Sequence, residues 1–157
     1  MSALAALRRA SLADLEAVTA FQHAAYAKNR ALLGVEPLPL LADYADIIAT
    51  YETWLLEIDG RLDGVLILDP RLDDLLIWSV ATAPAAQKRG VGRALLAAAE
   101  ERAHALGRGV IRLYTGEPLT GNIAWYRRHG YAVARVEALA ADRRIVHMSK
   151  TLYSASS

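Results

Sequence analysis

Apolar residues recur along this chain in two rhythms, one helical and one of strand-length runs, and the switches between them mark out its elements. Leu12, Leu15, Val18 and Ala25 fall at roughly helical spacing behind Ser11 and Asp14, which form a capping box. A first helix is therefore expected to end near Tyr26. The short apolar run from Leu4 to Arg9 reads as an edge strand. Gly34, Pro37 and Pro39 then break the chain, and a second helix is expected from Leu40 to Thr50. From Thr53 the runs shorten. TWLLEI and LDGVLILD, joined by Asp59-Gly60, read as a β-hairpin, and a turn over Pro70 to Asp73 leads to a third run, DLLIWSVAT. These three strands are predicted to meander antiparallel.

Helical spacing returns from Gly90 to Leu106. Val91, Leu95, Ala98 and Leu106 share one face, with Arg93, Glu100, Glu101 and His104 opposite. Arg102 projects onto the apolar side, where it must snorkel or find a partner. Gly107 and Gly109 end the helix, VIRLYT is a strand, Asn122 to His129 is a short helix stopped at Gly130, and YAVARVEA and RRIVHMSKTL form a closing antiparallel pair. The order is β-α-α-β-β-β-α-β-α-β-β. The fourth strand, the long helix and the fifth strand make one βαβ unit, so these two strands can lie parallel with a right-handed crossover. The expected fold class is α/β: a mixed, mostly antiparallel sheet with one parallel pair and helices on both faces.

Composition narrows the functional classes. A length of 157 residues fits one domain, read as residues 1–152 followed by a flexible tail over 153–157. Hydrophobic residues at 54% and charged residues at 22% are globular proportions. Eighteen basic against seventeen acidic residues leave +1, which offers no footprint for nucleic acid. The absence of cysteine excludes disulfides, thiolate metal sites and a cysteine nucleophile. No apolar run approaches the ~20 residues of a membrane helix, and the first residues do not read as a signal peptide, so a cytoplasmic location is expected. His23, His104, His129 and His147 are scattered without metal-site spacing, and no metal is expected.

The chemistry concentrates where the fourth strand runs into the long helix. That helix opens at Gly90-Val91-Gly92, and a helix N-terminus with exposed N–H groups is an anion site. Lys88, Arg89 and Arg93 add positive charge, so a pyrophosphate is the favoured ligand. A Walker loop is excluded because Arg93 and Ala94 follow Gly92. A dinucleotide fingerprint is excluded by Leu95 and by the three antiparallel strands that come first. Close helix–strand packing is the other reading of Gly-x-Gly.

Gln87-x-x-Gly90-x-Gly92, after an apolar strand and Pro84, resembles the acetyl-CoA signature of the Gcn5-related N-acetyltransferase (GNAT) superfamily. Asn122-Ile-Ala-Trp-Tyr126-Arg-Arg-His-Gly130-Tyr131 resembles the second motif of that superfamily, and the order of elements matches its fold from about Leu4 to Leu152. The resemblance implies an N-acetyltransferase that moves an acetyl group from acetyl-CoA to a primary amine by direct attack in a ternary complex. It implies that Gln87, Lys88, Arg89, Gly90, Val91, Gly92 and Arg93 receive the CoA pyrophosphate. Val80 and Ala81 would offer main-chain groups to the pantetheine arm where the fourth and fifth strands splay. Asn122 and Tyr126, four residues apart, would face the cofactor, with Tyr126 protonating the departing thiolate.

Structural readings stand beside these. Asn122 can cap its helix, Tyr126 can join Trp125 in the core, and Lys88 and Arg89 can be solvated loop charges. The chain departs from the pattern at the base: Trp78 stands near the position where family members often carry an acid on the fourth strand. Glu57, Glu117 or a water chain is left for that duty. The acceptor is expected over Tyr26 to Tyr51, where Tyr26, Asp43, Tyr44, Asp46, Tyr51 and Glu52 form either an aromatic and acidic wall or an ordinary polar face. Tyr26, Tyr44, Trp78 and Glu117 are its candidate contacts. Homodimers are frequent in such families. A non-catalytic acyl-CoA-binding module of the same fold is the alternative to an enzyme.

Overall fold

A computed structural model describes residues 2–86 and 90–152. Gln87, Lys88, Arg89 and the expected tail lie outside the described residues. The elements are β1 (Arg8–Arg9), α1 (Leu15–Tyr26), α2 (Arg30–Leu33), α3 (Leu38–Leu41), α4 (Tyr44–Thr50), β2 (Glu52–Ile58), β3 (Arg61–Pro70), β4 (Leu75–Thr82), α5 (Val91–Ala105), β5 (Val110–Gly116), α6 (Thr120–Arg128), β6 (Ala132–Ala140) and β7 (Arg143–Thr151). They build one seven-stranded sheet in the order β1-β2-β3-β4-β5-β7-β6. Among the described residues only β4 and β5 pair in parallel. The α/β class and the mixed sheet expected from the pattern are what the chain forms.

Local chemistry explains most boundaries. Ser11 and Asp14 close the expected capping box ahead of α1. The β2–β3 turn holds Asp59 at φ 54° and Gly60 at φ 76°, left-handed geometry that glycine adopts without penalty. Three expectations need correction. The run from Leu4 to Arg9 is a single 3-10 turn over Leu4–Ala6 followed by only two paired strand residues. The second helix is broken in two at Ala42 and Asp43, because the Asp43 carboxylate accepts the N–H groups of Ala45 and Asp46 and starts α4 afresh. The sixth helix begins at Thr120, so Asn122 sits inside its first turn and does not cap it.

Alternation along the central strands feeds two cores. Leu66, Leu68 and Ile77 point with Leu95, Leu96 and Ala99 of α5 into one, on which Ile123, Trp125 and Tyr126 of α6 also pack. Val65 and Ile67 point the other way, toward Val18 of α1 and Ile47 and Ile48 of α4. Arg102 finds the partner its position demands. Its guanidinium grips Glu52 at 2.9 and 2.8 Å and lies over the Trp54 ring, whose indole N–H also donates to Glu52. Burial opposes ionisation of Glu52, but the Arg102 and Trp54 hydrogen bonds outweigh it and hold the carboxyl below its ordinary range.

This pair is largely shielded, whereas Glu57 bonds Arg8 at the exposed edge of the sheet. Glu52→Gln should therefore cost about 1–3 kcal/mol of unfolding free energy by leaving Arg102 underpartnered. Glu57→Gln should cost less than about 1 kcal/mol. Urea denaturation of both variants checks this, and equal losses would contradict it.

Candidate functional site

The sheet opens at its middle. Leu75, Leu76 and Ile77 of β4 pair with Ile111, Arg112 and Leu113 of β5, and there the pairing stops. The register to β3 steps from Ile77 to Ser79, so Trp78 is an extra residue bulged out of the ladder. A bulge bends its strand and sharpens the local twist. Past it, Ser79 to Thr82 keep β3 on one side and among the described residues have no strand on the other, while β5 continues against β7 to Gly116. The gap between the parted strands is a cavity of about 650 Å³, bordered by Trp78 to Thr82 on one lip and Leu113 to Gly116 on the other.

A buried polar network stands behind the bulge. Gln22, fully buried, donates from Nε2 to Ser79 Oγ at 3.0 Å and to the Tyr44 hydroxyl at 3.3 Å. Tyr44 in turn donates to the Pro39 carbonyl at 2.6 Å. The Tyr26 hydroxyl lies 2.7 Å from Ser79 Oγ and donates to the Val80 carbonyl at 3.4 Å. Burial pushes the Tyr26 phenol up to about 12, with the Ser79 hydrogen bond working the other way. Among the described residues the Gln22 Oε1 atom finds no partner.

The start of α5 forms one end of the cavity. Gly90 is left-handed at φ 78°, and among the described residues no side chain caps the helix. The first intrahelical bond of the ladder runs from the Ala94 N–H to the Gly90 carbonyl, so the N–H groups of Val91, Gly92 and Arg93 precede it. Gly90, Gly92 and Arg93 border the cavity. The Val91 side chain turns away into the core, packed where a Cβ on Gly64 would lie 3.0 Å from its Cγ1. Gly92 has a packing reason for lacking a side chain: a Cβ there would lie 3.0 Å from the Trp125 ring of α6.

Helix α6 brings Asn122 and Tyr126 to the cavity one turn apart. The Tyr126 ring meets Trp125 and Tyr131 edge-on, with centroids 5.1 and 5.9 Å away. Burial drives the Tyr126 phenol well above its ordinary range, and the neighbouring Tyr26 and Tyr131 phenols add to the shift. Gly130, left-handed at φ 94°, ends this turn of chain as the sequence implied.

The cavity thus gathers Tyr26, Trp78, Val80, Ala81, Gly90, Gly92, Arg93, Glu117, Asn122 and Tyr126. It leaves out others. Tyr44 is a core residue behind the network, because α4 buries Tyr44, Ile47 and Ile48 against the sheet. Asp43 caps α4, and Glu52 and Glu57 are tied to Arg102 and Arg8. Of the six side chains expected to wall the acceptor, Tyr26 alone borders the cavity, but the segment that carries them contributes Lys28, Asn29, Leu33, Val35, Pro37, Leu38 and Pro39 to its lining. Two groups went unread in the sequence. Gln22 stands on the apolar stripe of α1, four residues after Val18, and that misfit was the available signal. Asp142, Arg143 and Arg144 reach the cavity from the β6–β7 turn, where no local pattern announces them.

Residues 17–131 match the sequence profile of the Acetyltransferase (GNAT) family. PaiA N-acetyltransferase from Thermoplasma acidophilum, solved in complex with coenzyme A, has the same fold at TM-score 0.74 and 18% identity, over 92% of this chain and 97% of that one. Ribosomal-protein-alanine N-acetyltransferase from Brucella melitensis gives TM-score 0.67 at 22% identity, over 93% and 99%. A GNAT family acetyltransferase from Elizabethkingia anophelis with acetyl-CoA bound gives 0.64 at 19% identity, over 72% and 87%. No curated protein sequence matches the chain.

The contact between Gly92 and Trp125 can be tested by a double-mutant cycle. Gly92→Val should destabilise by about 1–3 kcal/mol through overpacking. In a Trp125→Ala background the same change should cost about 0.5–3 kcal/mol less. Additive losses in thermal unfolding would separate the two residues.

Proposed function

The chain belongs to the GNAT acetyltransferase family, and from that premise we propose that it moves an acetyl group from acetyl-CoA to a primary amine by direct attack. The observation that carries the reading is the cavity between the parted strands, which joins the uncapped start of α5 to the Tyr126 phenol. The N–H groups at Gly90 to Arg93, with the Arg93 guanidinium, suit a pyrophosphate, because the helix end is positive and among the described residues carries no side-chain cap. Gln87, Lys88 and Arg89 join them in this reading on sequence grounds. The unpaired edge of β4 at Val80 and Ala81 supplies main-chain groups for the pantetheine arm. Asn122 faces the same channel.

The reaction asks little of ionised side chains. The amine nitrogen bonds to the thioester carbon, the carbon–sulfur bond breaks, and the sulfur takes the Tyr126 proton. The proton shed by the amine passes to water, from which Tyr126 is restored. Holding amine and thioester together supplies much of the rate. Burial raises the Tyr126 phenol, so the group enters the reaction carrying its proton. Trp78 occupies the bulge and cannot act as a base. Glu117, which borders the cavity, is held by Arg144 at 3.0 Å. The acceptor therefore arrives as the neutral amine, past Tyr26 and Trp78.

Release of free thiol from acetyl-CoA over a panel of amines tests the reading. Binding of acetyl-CoA without release by any amine would make the chain an acyl-CoA-binding module instead. With a good acceptor, Tyr126→Phe should lower kcat by roughly ten- to a hundredfold and leave the KM for acetyl-CoA unchanged. Equal rates would remove the phenol from the mechanism. Below the pKa of the acceptor, kcat/KM should rise about tenfold per pH unit, following the neutral amine. It should show no descending limb below about pH 10, since Tyr26 at about 12 and Tyr126 above it both stay protonated. A falling limb near pH 8 would assign the acid to another group.

A further inference from the structure

One hydrogen bond sets which residues of β4 turn their main chain to the gap. The Ala83 N–H donates to the Asp63 carbonyl at 2.9 Å, so these two residues form a hydrogen-bonded pair. Antiparallel pairs alternate between bonded and non-bonded, and the register from Gly64↔Thr82 to Ile67↔Ser79 is unbroken. Ser79 and Ala81 therefore commit their main-chain groups to β3, whereas Val80 and Thr82 direct theirs into the gap. Of Val80 and Ala81, it is Val80 whose N–H and C=O face the cavity.

The Val80 carbonyl is already taken, because the Tyr26 hydroxyl lies 3.4 Å from it and donates. A directed chain of hydrogen bonds fixes that donation. The Pro39 carbonyl can only accept, so the single Tyr44 hydroxyl hydrogen, at 2.6 Å, goes there. Tyr44 must then accept from Gln22, which turns Nε2 toward Tyr44 at 3.3 Å and toward Ser79 at 3.0 Å. Ser79 accepts as well, and its own hydrogen goes to Tyr26 at 2.7 Å. The Tyr26 hydrogen is left for Val80. Gln22 is fully buried, and its amide at the head of the chain does not exchange protons as an acid or base would. The chain can hold a position and cannot carry a proton away.

With its carbonyl covered, Val80 offers the gap an N–H and no acceptor. A thioester carbonyl accepts and cannot donate, which suits Val80. A pantetheine amide does both, which suits Thr82. We propose that Tyr26 is a positioning residue: by covering the Val80 carbonyl it denies that place to a pantetheine amide and sets the register in which acetyl-CoA lies along β4. Gln22 directs it through Ser79. This inference rests on the proposed acetyl-CoA reaction.

Isotope-edited infrared spectra of acetyl-CoA labelled at its thioester carbonyl, bound to the full chain without an amine, test the placement. The bound carbonyl band should lie below that of free acetyl-CoA, as in any carbonyl that accepts a hydrogen bond. In Tyr26→Phe the uncovered Val80 carbonyl draws a pantetheine amide, and the band should return toward its free position. CoA should bind this variant at least as tightly as wild type, while kcat with a good amine falls roughly ten- to a hundredfold. Gln22→Leu lets Ser79 accept the Tyr26 hydrogen, so its band should move the same way. Thermal unfolding reports that each variant is folded, and the folded one decides if the other is not. An unshifted band in the wild type, a wild-type band in Tyr26→Phe, or weaker CoA binding with kcat unchanged would each overturn the proposal. The last would make Tyr26 an ordinary wall of the cavity. Failure of the wild type to bind acetyl-CoA at all would instead remove the proposed function, and this inference with it.

Discussion

The parting of β4 from β5 is the constraint on which the site depends. Parallel neighbours normally satisfy each other along their whole length, and one extra residue at Trp78 ends that arrangement after three pairs. An edge of main chain is thereby left without a strand in the middle of a sheet, where unpaired backbone groups are costly. A ligand with its own amide groups can complete it. The bulge also sets Ser79 where Gln22 and Tyr26 reach it, so the opening is fixed from behind by hydrogen bonds to α1.

The remaining parts of the site are placed by reference to that opening. Helix α5 must cross from the end of β4 to the start of β5, which brings its N-terminus to the mouth of the gap. Helix α6 follows β5 and leans on α5 through Trp125 at the notch left by Gly92. Tyr126 is consequently located by the packing of its ring against Trp125 and Tyr131. Its phenol is kept neutral by the apolar shell that holds it.

Most of the fold was legible because its signals are local. A capping box, an Asp-Gly turn, an amphipathic helix and alternating strands each reveal themselves within a few residues, and the two glycine-containing motifs sit at element junctions that the same patterns locate. What failed to show was non-local or competitive. The break between α3 and α4 arises because one carboxylate caps a new helix inside a run that is apolar enough to continue. The assignment of Tyr44 to an acceptor wall failed because its buried face is decided by the sheet beneath α4. The approach of Arg143 and Arg144 to the cavity follows from β7 lying beside β5, a pairing that no spacing in the sequence encodes.

The two margins of the sheet are unequal. At one, β1 offers only Arg8 and Arg9, and Arg8 is already engaged with Asp14 and Glu57. At the other, β6 presents nine residues of strand. A sheet that could be extended at both margins would add copies without limit and grow into a fibre. With one margin blunted, any strand that adds does so once, and assembly is bounded by geometry whatever the concentration.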